Sequence, residues 1–294
     1  MTSQPTDRYE TAAGLVARSA AAFASGVPEH PADNGFFGPS SVAWRLGTDL
    51  SAPVSGLRSL LLQALHPLAM AGVDQHSQWR QDPVGRLAAT FGYVTTVTYG
   101  DRAAAEKVSA VVRRVHEHVR GTDPATGQPY DATDPALLLW VHAALVDSAL
   151  AAAELVGSPP DAADADRYIA EMVAAGELVG IPRAMVPAST TELASYLESV
   201  RPELLRTPAA EDAIAHLLGS VGQDPDVAEL WQDVTDAAIR SLPDWAIEMH
   251  GFTAPDIDRD NTRQALGVLD IVFMGEPGVL EARQRIETRR RAAR

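Results

Sequence analysis

In a chain without cysteine, the residues best able to do chemistry are its eight histidines, and three stand in suggestive company. His116 lies four residues after Val112 and one after Val115, so it borders the apolar stripe of a helix, whereas His118 points elsewhere. His142 sits inside the most apolar stretch of the chain, and His66 follows Leu65 at a helix end. A buried imidazole needs partners for its nitrogens or a metal. Any one of these taken alone reads as a hydrogen-bonded core or cap residue. Two of them on adjacent predicted helices make a shared site the competing reading. Arg86 and Thr90 are four residues apart and share a helix face. The planar guanidinium fork suits a carboxylate or phosphate, although pairing with Asp82, also four residues away, is the simpler reading by spacing alone. A metal site made of His66, His76 and a carboxylate such as Asp74 is a weaker alternative.

Other chemistries are excluded. Without cysteine there are no disulfides, thiolate ligands or thiol nucleophiles. Lys107 is the sole lysine and falls on a predicted helix surface. There is no dinucleotide fingerprint, no P-loop, no H-E-x-x-H and no nucleophile elbow. Asp256, Asp258 and Asp260 alternate without the rest of a calcium loop and read as a solvated loop. The net charge of −15 opposes nucleic acid and anionic membrane surfaces. Against that trend, Arg283, Arg285, Arg289, Arg290, Arg291 and Arg294 cluster at one end and read as a solvated helix terminus.

The elements that would position these residues are helices. Alanine dominates the apolar residues and aromatics reach only 6 %, which favours helix over strand. A short helix is predicted around Ala12 to Ala24, broken by Val27, Pro28, Pro31 and Gly35. Ser40 or Ser41 can cap the next one. Val54 to Ala64 carries leucines at helical spacing, and Pro67 breaks the chain after His66. Pro83 opens a helix through Thr90 and on towards Val97, and Asp101 can cap its successor. From Arg102 to Arg120 the valines at 108, 111, 112, 115 and 119 form one stripe, with Gly121 as the expected stop. A loop spans Asp123 to Asp134, and Thr133 or Asp134 caps a helix from Pro135 to Val156. That helix is long enough to span a membrane, but His142, Asp147 and Glu154 argue for a buried central helix instead. Ala162 to Val179 and Ser189 to Leu197 follow, then further helices separated by prolines. No strand run or repeat is evident. The expectation is an all-α multi-helix bundle, with residues 1–35 as an extension, 36–294 as one domain, and additional helices towards the C-terminus. The N-terminus has no basic start followed by an apolar run, so a cytoplasmic protein without a membrane span is expected. Its Ala-rich helical surface leaves a homodimer open.

The order of short motifs is more specific than any one of them. His66-Pro67, Gly72-Val73, His76-Ser77, Asp82-Pro83, Arg86 and Thr90 come first. Tyr99-Gly100-Asp101, Val115-His116, Gly121, Tyr130, Trp140-Val141-His142 and Glu177-Leu178 to Pro187 follow. Over roughly Gly38 to Leu205 this series resembles the MpaB-type oxygenase family, which is related to the latex-clearing rubber oxygenases. The resemblance implies a globin-like helical bundle holding haem b, and iron, through one proximal histidine. Val112-Arg113-Arg114-Val115-His116-Glu117-His118-Val119-Arg120 matches the family's haem helix, which implies His116 as the iron ligand. Arg86 and Thr90 match a pair near the haem, Arg86 facing a propionate; His142 and His66 belong to the same pattern without an assigned role. Two departures stand out: Ala89 occupies the place of a lysine in the latex-clearing enzymes, and Leu61 to Gly72 holds no carboxylate. These departures weigh against rubber cleavage by their route. The implied activity is a haem-dependent oxygenase reaction of dioxygen with a small apolar substrate such as an isoprenoid. A haem-binding protein without turnover and a haem-free scaffold are the alternatives.

Overall fold

The computed structural model describes residues 12–28, 35–219 and 225–293; His30 and Arg294 lie outside them. Among the described residues the regular elements are all helices apart from one short hairpin. The first helices are α1 (Ala12–Gly26), α2 (Val42–Gly47), α3 (Ala52–Gln63), α4 (Pro67–His76), α5 (Pro83–Tyr99) and α6 (Arg102–His116). Strands β1 (Arg120–Thr122) and β2 (Pro129–Asp131) pair antiparallel, with Gly121 opposite Tyr130. Then come α7 (Pro135–Val156), α8 (Ala162–Val179), α9 (Thr190–Val200), α10 (Pro208–Gly219), α11 (Pro225–Arg240), α12 (Asp244–His250), α13 (Arg259–Gly275) and α14 (Val279–Ala292).

Local chemistry sets these boundaries. Ser41, Asp82, Asp101, Asp134, Asp161, Ser189 and Asp258 each accept a hydrogen bond from a free amide in the first turn of the helix that follows. The amides of Val42 and Ala43 at the start of α2 donate to the Glu171 carboxylate of α8, at 3.2 and 2.9 Å, so a distant side chain completes that cap.

Helix α7 is apolar all round, as a helix buried at the centre of a bundle must be. On one side Trp140, Ala144, Ala152 and Val156 pack with Val54, Leu57 and Leu61 of α3 and with Val234, Ala237 and Ala238 of α11. On the other, Ala143, Val146 and Ala153 join Tyr168 and Ile169 of α8, Trp44 of α2 and Phe23 of α1. By length and composition α7 could cross a membrane, and 56 % of its most apolar window is buried within this fold. Arg58 of α3 is almost wholly buried beside it. Its guanidinium donates to Ser148 Oγ at 2.8 Å and to the Ser241 carbonyl at 2.9 Å, and it pairs with Asp147 at 2.7 Å. Glycines let α1 lie close against α5: a Cβ on Gly92 would meet Ala22 Cβ at 3.2 Å, and one on Gly26 would meet Thr95 Cγ2 at 2.8 Å.

Three expectations need correction. Helix α6 ends at His116, with Glu117 as its cap, and Gly121 lies in β1 rather than at a helix terminus. The loop from Asp123 is the turn of a hairpin. The Asp123 carboxylate accepts from the Ala125 and Thr126 amides and from the Thr126 hydroxyl, and Gly127 takes a positive φ of 71° that suits glycine. The arginine cluster of α14 is not simply solvated. Arg283 pairs with Asp270 at 2.6 Å, Arg285 donates to the Val27 carbonyl at 3.2 Å, and the Arg289 guanidinium lies over the Trp44 ring at 5.0 Å.

Candidate functional site

A cavity of about 630 Å³ opens among α4, α5, α6, α7, α8 and α10. Its walls are mostly aliphatic, and none of its lining residues is an aspartate or glutamate, in a protein whose net charge is −15. The valine stripe of α6 explains the cavity. Val111, Val112, Val115 and Val119 all line it. Val111 is 45 % and Val115 56 % exposed, because the stripe faces this space instead of a neighbouring helix. Large apolar side chains turned into a chamber mark a site for an apolar ligand.

His116, Arg86, Thr90 and His142 all line this cavity. His116 comes from the last turn of α6, and its Nδ1 is buried with no hydrogen-bond partner. Burial, and then the positive charge of Arg86, lower its pKa below the ordinary histidine value, so the ring is held neutral and able to act as a ligand. His142 projects from the middle of α7 towards α8, where a Cβ on Gly176 would come within 3.4 Å of its Nε2. Burial pushes its pKa down to about 4. Among the described residues no acid pairs with Arg86. Asp82, the partner that spacing suggests, caps α5 through the Gly85 amide at 2.8 Å and pairs with Arg18 at 3.2 Å. Burial lowers the Arg86 pKa from its usual value. The side chain keeps accessible surface, so this loss of solvation is partial. Thr90 donates its hydroxyl to the Arg86 carbonyl at 3.1 Å, one turn back in α5.

His66 is placed elsewhere. It precedes α4, does not line the cavity, and is buried with its ring 6.3 Å from that of Trp140 and its Nε2 3.9 Å from Glu203. Among the described residues no three histidine, aspartate or glutamate side chains converge as a metal site. His76 bonds Tyr130 and Asp74 pairs with Arg80 at 2.6 Å, so the trio of His66, His76 and Asp74 does not assemble.

Sequence reading missed the opposite wall. Trp79 follows α4, His216 and Leu217 come from α10, and Trp231 from α11. Trp79 and His216 meet edge to face at 5.6 Å, and Arg80 stacks over Trp79 at 4.2 Å while bonding Asp212 of α10 at 2.8 Å. The alternation of aromatic and charged residues in Trp79-Arg80 was the available signal, but nothing local pointed to α10 as its partner.

Residues 44–271, which include every lining residue except Phe37, match the family described as ER-bound oxygenase mpaB/B′/Rubber oxygenase, catalytic domain. The chain belongs to this family. No curated protein and no solved structure matches the chain. The acid-free cavity lies almost wholly within this mpaB/rubber oxygenase domain.

Proposed function

We propose that this protein is a haem-b-dependent oxygenase that acts with dioxygen on an apolar small molecule, an isoprenoid being one such class. The observation that carries the reading is the convergence, in one apolar cavity without a carboxylate, of two imidazoles whose pKa burial lowers and a guanidinium with no acid partner among the described residues. A guanidinium so placed gains a partner, and a neutral imidazole a metal to bind, when an anionic, metal-bearing, largely apolar group fills the space. Haem fits this set: porphyrin surface against the valines, iron for an imidazole, propionate for Arg86.

When bound, haem would supply the iron centre at which dioxygen is activated. The rest is the work of the chain. His116 would hold the iron from the end of α6 through its neutral ring. Arg86 would fix a propionate through its two-pronged donor set. His142, neutral in its apolar surroundings, would donate to or accept from the group's edge. The aliphatic walls exclude water from the reacting atoms and bind the substrate by burial of apolar surface.

The absorption spectrum of protein expressed with a haem precursor, oxidised and then reduced, tests the proposal. A Soret band with a near-stoichiometric pyridine haemochrome is expected. A colourless protein that also fails to take up added haemin refutes it and leaves the haem-free scaffold.

A further inference from the structure

The hairpin holds one side chain of the cavity in a single chemical state. The Thr122 carbonyl in β1 can only accept, so the Gln75 amide nitrogen that meets it at 3.0 Å is the donor. That turns Gln75 Oε1 towards Tyr130, whose hydroxyl donates to it at 2.8 Å. Burial, then the nearby Asp74 and Asp123 carboxylates, raise the Tyr130 pKa and keep that proton in place. A phenol has one proton to give. With it committed to Gln75, the Tyr130 oxygen can only accept from His76 Nε2, 3.1 Å away. His76 therefore donates through Nε2–H, which in the neutral ring leaves the lone pair on Nδ1, and among the described residues Nδ1 meets no hydrogen-bond partner.

Room for this chain of bonds depends on Gly121. A Cβ there would lie 2.7 Å from Tyr130 Oη and 3.0 Å from Gln75 Oε1, so any other residue would push the pair apart. At Gly72 of α4 there is more room, since a Cβ would meet Val119 at 3.4 Å and the Tyr130 ring at 3.7 Å in ordinary contact. Both Tyr130 and His76 line the cavity, beside aliphatic Val73, Leu68 and Val119.

We infer that His76 is a hydrogen-bond acceptor of the substrate chamber, oriented by Tyr130, Gln75 and Thr122, and that the molecule it selects is apolar with one hydroxyl group. The inference deepens the proposed function by naming the substrate class. It rests on the cavity as the substrate site and does not require haem, so the haemochrome result and the experiment below fail independently.

The test uses the full chain as purified, at pH 8, with its haem content recorded. In protein labelled with nitrogen-15 histidine, two-bond proton–nitrogen correlations report each ring's tautomer, with His76 assigned by its loss in His76→Leu. The Nε2–H form is expected; the Nδ1–H form or the imidazolium overturns the inference. Calorimetric titration then compares geraniol with its methyl ether, which lacks the donor. Wild type is expected to bind the alcohol about five-fold better, as one hydrogen bond allows. His76→Leu should lose that preference and keep its affinity for the ether. A preference that survives in His76→Leu, or a wild type that binds no geraniol, overturns it. Gly121→Ala serves if His76→Leu does not fold, because it displaces the Tyr130–Gln75 pair without removing any donor or acceptor. It should erode both the tautomer preference and the alcohol preference, and an unchanged tautomer there refutes the orienting chain.

Discussion

Arg86→Leu should separate the stability of the empty protein from its hold on haem. Among the described residues Arg86 has no carboxylate partner, and the apolar cavity that it lines removes part of its solvation. Removing a buried charge from a pair usually costs about 3–5 kcal/mol because the partner is left exposed to an apolar surrounding. Here no partner is left behind, and leucine matches the aliphatic walls. The midpoint of thermal or urea unfolding of the haem-free variant should therefore equal or exceed that of wild type. Haem binding should move the other way. A hydrogen bond to a charged group contributes about 1.5–3 kcal/mol, which corresponds to roughly 10- to 150-fold weaker binding. The assay is haemin titration of the haem-free protein, with transfer to an excess of a haem acceptor giving the off-rate. Unchanged haem affinity would refute the propionate role. A clear loss of stability in the haem-free variant would refute the claim that Arg86 is unpaired.

Three further outcomes follow from the structure. His116→Ala should abolish haem binding while leaving the far-ultraviolet circular dichroism unchanged; if His142→Ala does so instead and His116→Ala keeps full haem, the two assignments exchange. Arg58→Leu should lower stability by about 3 kcal/mol, since it strands Asp147 and the buried Ser148 hydroxyl, and an unaltered urea midpoint would contradict that network. His250, buried with Nε2 3.0 Å from the Leu61 carbonyl and stacked on Phe252, has its pKa lowered to about 4, first by burial. Its unfolded value is near 6.5, so the unfolded chain binds the proton first. The stability it contributes is complete above about pH 6.5 and is lost as pH falls towards 4, which amounts to roughly 2 kcal/mol by pH 5. His250→Phe should remove that part of the difference between the urea midpoints at pH 7.5 and pH 5; an identical pH dependence in the variant would show that this histidine is not responsible.

The fold was legible wherever the code is local. Asp134 and Pro135 open α7, Gly157 closes it, and Asp161 and Gly180 bracket α8, so caps and breakers fix both bounds from the sequence. The hairpin was not legible: its strands are three residues each, too short for alternation to show. With it went the meaning of Gly121, which looks like a helix terminator and is instead a gap for two side chains. The valine stripe was visible, but periodicity says only that a face is apolar. It does not say whether a helix or an empty chamber lies opposite. The company of Arg86 and the exclusion of His66 depend on contacts between distant segments, as does the bond between His76 and Tyr130, 54 residues apart. The resemblance across the ordered motifs supplied what spacing alone could not, since by spacing Asp82 was the better partner for Arg86.

The embrace of α1 by α14 bears on how the molecule is made. Arg285 reaches back to the Val27 carbonyl, and Val279, Ala282 and Ile286 share a core with Phe23. These partners are separated by roughly 250 residues of chain. On a ribosome, α1 emerges early and can rest on α5, but the side of Phe23 that meets Phe273 of α13 and the core residues of α14 waits until both helices have been synthesised. Contacts at such separation close late and slowly. The half-made chain must therefore carry an exposed aromatic edge through most of its synthesis, and chaperone engagement should concentrate there rather than at the cavity.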